Sequence, residues 1–120
     1  MADVTSEIDC IFCRIVRGEL GTTLVAENEH AVAIRDLSPQ APTHVLVVPR
    51  KHIAALRAAD EDDAPIVAGA MALAVEVARH EGLLDGGGYR VVTNDGEDAG
   101  QTVFHIHFHV LGGHQLTAMG

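Results

Sequence analysis

Phe104-His105-Ile106-His107-Phe108-His109-Val110-Leu111-Gly112-Gly113 sets three histidines at alternate positions among bulky apolar residues, in a chain with eight histidines in all. Period-two alternation is the pattern of a half-buried β-strand, whose successive side chains point to opposite faces. A strand over 103–111 is therefore expected. On it His105, His107 and His109 share one face, while Phe104, Ile106, Phe108 and Val110 pack the other. A strand that merely shows a polar face to water is normally filled with Thr, Lys, Glu and Ser. Three imidazoles in a row point instead to chemistry.

Working outward, the Gly-rich, acidic loop 95–100 joins this strand to another expected at 89–94. Upstream, 44–48 reads as a buried strand ended by Pro49, reached through an extended connection containing Pro39 and Pro42. Residues 23–27 and 31–36 read as a hairpin turning at Asn28-Glu29, preceded by a short helix over 11–17 that stops at Gly18. The long helix is expected at 60–81. Asp60, Glu61, Asp62 and Asp63 complement its N-terminal dipole, Pro65 suits its first turn and Gly82 ends it. It is apolar nearly all round: Ile66, Val67, Met71, Leu73, Val75 and Val77 are joined by Ala68, Gly69, Ala70, Ala72 and Ala74. One face suits a sheet; the other suits a second subunit or further burial within the monomer. The fold class is α+β, with about five strands in a mainly antiparallel sheet and two helices.

The 120 residues fit a single domain, 1–120, with no room for a second. A net charge of -9 with only eight Lys and Arg excludes a nucleic-acid backbone binder, though small anions held by local donors remain open. Residues 1–7 are acidic and lack the basic and apolar regions of a signal peptide. No apolar run reaches the length of a membrane span. A soluble cytoplasmic protein is expected. In that reducing setting Cys10-Ile11-Phe12-Cys13 points to metal or redox use rather than a structural disulfide.

A row of imidazoles can serve metal-assisted hydrolysis, nucleophilic attack or general acid-base work. Metal-assisted hydrolysis usually wants a carboxylate base nearby, and none lies in the strand. Nucleophilic attack wants donors for a charged acceptor, and Asn94, Gly96, Gly100, Gln101 and Thr102 offer amide, hydroxyl and backbone N–H groups suited to phosphate. An ordinary turn accounts for the same composition equally well.

Cys-Ile-Phe-Cys-Arg-Ile, then 36–44 as Asp-Leu-Ser-Pro-Gln-Ala-Pro-Thr-His, then Pro49-Arg50-Lys51-His52-Ile53, Gly88-Tyr89-Arg90, Asn94, Gly100-Gln101 and His105-x-His107-x-His109-x-Leu-Gly-Gly together resemble the histidine triad superfamily. The match is strongest to its branch of nucleotide-binding proteins that act as purine nucleoside phosphoramidases. The resemblance runs from about residue 8 to residue 115. It implies the histidine triad fold, a homodimer whose sheets join into one, an AMP-like purine nucleotide partner and a nucleotidyl-histidine intermediate. By position it implies His107 as nucleophile, His109 beside the phosphate, His44 as a fourth active-site histidine, and Thr102 with nearby backbone donors on the oxygens. It further implies Asp36 on the ribose hydroxyls, with Ile11, Phe12 and Ile15 in the apolar wall around the base. No divalent ion need touch the phosphate.

Some bacterial proteins of this kind hold a structural zinc with two Cys and two His, which here implies Cys10, Cys13, His52 and His105. A closed set of four leaves no position for substrate, and so is structural rather than catalytic. Arg50 and Lys51 offer further charge. Close relatives of the branch carry an Arg after Gly-Gly and a Trp-containing tail across the dimer, whereas this chain has His114-Gln115-Leu116-Thr117-Ala118-Met119-Gly120. The leaving group is thus open. A dinucleoside polyphosphate hydrolase or phosphorylase would use the same nucleophile, and a non-catalytic nucleotide-binding module is the alternative outside catalysis.

Overall fold

The computed structural model describes residues 10–119; residues 1–7, and residue 8 where the resemblance begins, lie outside the described residues. Strands β1 (Ala26–Glu27), β2 (Ala31–Arg35), β3 (Thr43–Pro49), β4 (Tyr89–Val92) and β5 (Phe108–Gly112) form one sheet. All pairings are antiparallel, in the order β1-β2-β3-β5-β4. With the helices α1 (Ile11–Val16) and α2 (Ala64–His80), this is the expected α+β architecture.

Local chemistry sets the boundaries. Asn28 Oδ1 accepts from the backbone N–H groups of His30 and Ala31, both at 2.9 Å, and closes the β1–β2 turn. At the start of α1, Cys10 Sγ accepts from Cys13 N; beyond its end, Gly18 takes a positive φ of 76°. Asp60 and Asp63 form a reciprocal capping box, but the turn Glu61–Asp63 is 3-10 and α2 proper begins only at Ala64. The ladder is shorter than expected at both edges of the sheet: β1 covers two residues of 23–27, and β4 stops at Val92.

Strand pairing sorts the side chains into two layers. Ala31, Ala33, Val45, Val47, Phe108 and Val110 face α2, where Ala70, Leu73, Ala74, Val77 and Ala78 meet them. Val32, Ile34, Leu46 and Val48 face the other way and pack with Phe12, Cys10 and Cys13 around α1. The helical stripe of small residues therefore divides. Ala70 and Ala74 belong to the core; Gly69 leaves room for the His30 ring, which a Cβ there would overlap. Ala68, Ala72 and Val75 stay exposed. No helix of the described residues is long and apolar enough to cross a membrane.

The decisive stretch corrects one expectation. Its strand begins at Phe108, not at residue 103, because β3 offers its last partner, Val47, to Phe108. Before that point the chain is held individually: Ile106 N donates to Ile53 O at 2.6 Å, and Pro49 O accepts from the His105 side chain at 2.7 Å. Alternation nevertheless survives in facing, since Ile106, Phe108 and Val110 all enter the α2 core, although His105 and His107 are buried as well and Phe104, expected on the packed face, is only half-buried and joins neither core cluster. Directly after the strand, Gly113 has φ 105°, and a Cβ there would lie 2.8 Å from Pro42 Cβ. Glycine is what lets the 37–42 connection close over the end of β5.

Candidate active site and metal centre

His44 on β3 pairs with Leu111, and Leu46 pairs with His109, so His44 and His109 lie on one face of adjoining strands. Gln40 N donates to His44 Nδ1 at 3.0 Å. That nitrogen must then accept, which leaves the proton of the neutral ring on Nε2. His44 Nε2 is 2.9 Å from His109 Nδ1 and 3.5 Å from Asp36 Oδ2. His109 therefore accepts at Nδ1 and carries its own proton on Nε2. Asp36 also accepts from Ser38 N at 2.7 Å, so its carboxylate shapes the connection as well as facing His44.

His107 is held in the opposite sense. Its Nδ1 donates to the carbonyl oxygen of His105 at 2.8 Å, leaving a lone pair on Nε2. Thr93 Oγ1 donates to the His107 carbonyl at 2.7 Å, and the Phe12 ring meets the imidazole edge-on with centroids 5.0 Å apart. Burial holds His107 below the ordinary imidazole range. His109 is held down at about 4, by burial first and then by the neighbouring His107 and His44. At neutral pH the site thus combines an imidazole lone pair with an adjacent imidazole N–H, the pairing needed to attack an acceptor and steady its oxygens.

The expected ligands of a base and ribose gather nearby in unequal ways. Ile11 is 47% exposed, Ile15 is half-buried, and Phe12 lies beneath His105 and His107 with only 6% exposure. Within the glycine loop, Gln101 is buried with its amide fully engaged: Oε1 accepts from Gly96 N, and Nε2 donates to Ala54 O and Val103 O. Gln101 braces the loop. Gly100 has φ 95°, Thr102 is exposed, and Asn94 borders a cavity beside His109. Arg50 and Lys51 are engaged with Glu27 and Asp63.

Cys10, Cys13, His52 and His105 converge beneath this site. Cys10 Sγ is 3.3 Å from His105 Nδ1; Cys13 Sγ is 3.2 Å from His52 Nδ1 and 3.5 Å from His105 Nδ1; the two Nδ1 atoms are 3.2 Å apart. Ligand atoms around a tetrahedral zinc stand about 3.3–3.8 Å from one another, given its usual bond lengths. The donors therefore fit the ion. His105 Nε2 donates to Pro49 O, which directs its Nδ1 lone pair inward, the usual second partner of a ligating histidine. His52 turns Nδ1 to the cluster even though its Nε2 is then buried with no partner among the described residues.

Sequence reasoning missed three contributors: the backbone of Gln40, the hydroxyl of Thr93 and the guanidinium of Arg90, which lines the cavity with His44 and His109. Thr93, a polar residue late in an expected strand, carried a faint signal; a backbone N–H carries none.

The family model described as HIT domain matches residues 17–116. A 14 kDa zinc-binding protein of Zea mays is 44% identical over 108 residues, covering 88% of this chain and 83% of that protein. A HIT family hydrolase from Legionella pneumophila Philadelphia 1 superimposes with a TM-score of 0.85 at 45% identity, covering 90% of this chain and 96% of that one. A zinc-bound histidine triad family protein from Mycobacterium smegmatis gives a TM-score of 0.76 at 35% identity, covering 88% and 76%.

Proposed function

Because this chain belongs to the HIT domain family, we propose that it is a nucleotide-binding hydrolase that cleaves purine nucleoside 5′-phosphoramidates of the AMP-amine type. One observation carries the reading: His107 Nδ1 is tied to the His105 carbonyl, so the free Nε2 lone pair is poised as a nucleophile. His107 Nε2 attacks the α-phosphorus as the P–N bond breaks, forming a nucleotidyl-imidazole. Water then opens that bond and releases nucleoside monophosphate. The His109 Nε2–H stabilises the phosphoryl oxygens, held in that tautomer by His44 and Gln40 N. Asn94, Gly100 and Thr102 form the phosphate side of the pocket, shaped by Gln101. Asp36 receives the ribose hydroxyls, with Ile11, Ile15 and Phe12 on the base side.

Cys10, Cys13, His52 and His105 would hold a structural zinc, supplying a rigid anchor for α1 and the first triad histidine. The zinc-binding and zinc-bound relatives support that assignment. The reaction asks for no divalent ion on the phosphate, since imidazoles and loop donors carry its charge. The free edge of β4 and the exposed Ala68, Ala72 and Val75 of α2 suit a homodimer whose sheets join. A reducing cytoplasm would keep both thiols as ligands.

The test compares turnover of adenosine 5′-phosphoramidate with that of diadenosine polyphosphates, alongside AMP binding. Faster phosphoramidate turnover is expected. Preference for the dinucleotides would reassign the leaving group, and AMP binding without any turnover would leave a binding module.

A further inference from the structure

Six of the eight Lys and Arg side chains are ion-paired: Arg14 and Arg17 with Glu19, Arg35 with Glu81, Arg50 with Glu27, Lys51 with Asp63 and Arg57 with Asp95. Arg79 is exposed on the last turn of α2. That leaves Arg90. It is half-buried, and among the described residues its side chain has one recorded partner, the Thr117 carbonyl at 3.0 Å. In a chain of net charge -9 with seventeen Asp and Glu, a sheltered cation without a carboxylate is conspicuous. It borders a cavity of about 370 Å³ shared with Gln40, His44, Asn94 and His109, and no described carboxylate lines that cavity.

Register brings Arg90 to the chemistry. Arg90 pairs with Leu111 and Val92 with His109, so Arg90 is the diagonal neighbour of His109 on one face, about 7–8 Å away between backbones. An arginine side chain spans that distance. The remaining walls are apolar, from Val92, Leu111 and the tail residue Met119, which the Arg90–Thr117 bond holds nearby. A larger cavity of about 540 Å³, which Arg90 also lines together with the 86–88 glycine turn, His114 and Glu81, touches neither His44 nor His109, and its Glu81 is ion-paired with Arg35.

We propose that this cavity is a leaving-group subsite in which Arg90 binds a carboxylate, selecting nucleoside phosphoramidates whose amine belongs to an apolar amino acid. The inference rests on the hydrolase reading above and names the group that departs. The His107 Nε2–phosphorus bond forms as the P–N bond breaks, and the amino-acid nitrogen keeps the electron pair. One water is consumed overall: its hydroxyl ends on phosphorus and its proton on the amine, passed at His109 Nε2. A guanidinium and a carboxylate meet through paired N–H···O bonds, and no described carboxylate lines the cavity shared by Arg90 and His109.

The experiment measures kcat/KM of the full chain for the adenosine 5′-phosphoramidate of phenylalanine with a free carboxylate and for its neutral methyl ester. The parent is expected to favour the acid by about tenfold or more, against the repulsion of a negatively charged protein. Arg90→Gln should bring that ratio close to one, and Arg90→Lys should restore part of it. Both rates are read on one sample, so a partly unfolded variant leaves the ratio intact. A parent ratio near one, as when a carboxylate of the chain itself occupies Arg90, overturns the proposal. So does an Arg90→Gln variant that keeps the preference, or a diadenosine polyphosphate that outruns both substrates and depends on Arg90. Unsubstituted adenosine phosphoramidate separates the two readings: its turnover without acid preference removes only the subsite, and its inertness removes the hydrolase.

Discussion

His107 donates from Nδ1 to the carbonyl oxygen of His105, 2.8 Å away, so the backbone of one histidine decides which nitrogen of the next is free. His105 itself turns its ring toward two cysteines and His52, with which its Nδ1 forms a metal-fitting cluster. On the proposed reading, three residues that look equivalent in the sequence would divide into an anchor, a nucleophile and a donor.

The donor depends on His44. Gln40 N fixes the His44 tautomer, and His44 Nε2 fixes that of His109. Replacing His44 with Ala leaves His109 free to turn or to carry its proton on the wrong nitrogen. The expected outcome is a fall in kcat of about a hundredfold, with KM changed by only a few-fold. Steady-state kinetics on the phosphoramidate check it, and a kcat within threefold of the parent would remove the proton chain.

Metal loss should act on folding. Binding free energy at a four-ligand site is folding free energy, so protein prepared without chelator should contain one zinc per chain. Cys10→Ser or exhaustive chelation should then lower the melting temperature by on the order of 10 °C or more. Elemental analysis and calorimetry on the same sample decide the matter; a metal-free chain melting at the parent temperature contradicts it.

Asp63 gives the stability a defined acid limb. The Lys51 ammonium, 2.6 Å away, and the backbone N–H of Asp60 hold its carboxyl below the usual value of 3.8. A carboxyl whose pKa is lowered by folding stabilises fully above its unfolded value, and that stability is lost as pH falls through the folded one. Urea midpoints should therefore drop below about pH 4 more steeply in the parent than in Asp63→Asn, which is already weakened at pH 7. Equal acid slopes would exclude the linkage.

Gly113 should tolerate no side chain. Its φ of 105° and the 2.8 Å approach of Pro42 to a Cβ predict that Gly113→Ala costs about 1–3 kcal/mol. Chemical denaturation measures this, and an unchanged midpoint would show that the β5 exit relaxes freely.

Much of this was legible from residue types and spacing. Alternation in 105–110 separated a core face from a histidine face, though Phe104 falls outside the core, and Gly18 and Gly82 marked helix ends. The extent of β5 was not legible, because pairing depends on where β3 ends, and residues 105–107 keep the alternation without a ladder. The small residues of α2 looked like one stripe; only packing shows that Gly69 yields to His30 while Ala70 and Ala74 sit in the core. Around the site, tautomers rest on backbone groups such as Gln40 N and His105 O, to which the identity of a side chain gives no clue. Arg90 stands in the Gly88-Tyr89-Arg90 stretch without a role that the sequence assigns, and its lack of an acid partner appears only once six of the other seven cations have been matched to a carboxylate.

The central claim, that His107 Nε2 attacks phosphorus, is tested most directly by rapid-quench trapping. Enzyme mixed with adenosine 5′-phosphoramidate is stopped in base within one turnover, then digested and mapped by mass spectrometry. One acid-labile adenylyl group on His107 is predicted, formed at least as fast as turnover and absent from His107→Ala, whose activity is lost. Turnover without that adduct, an adduct on a different histidine, or a His107→Ala variant active within a few-fold of the parent would contradict it.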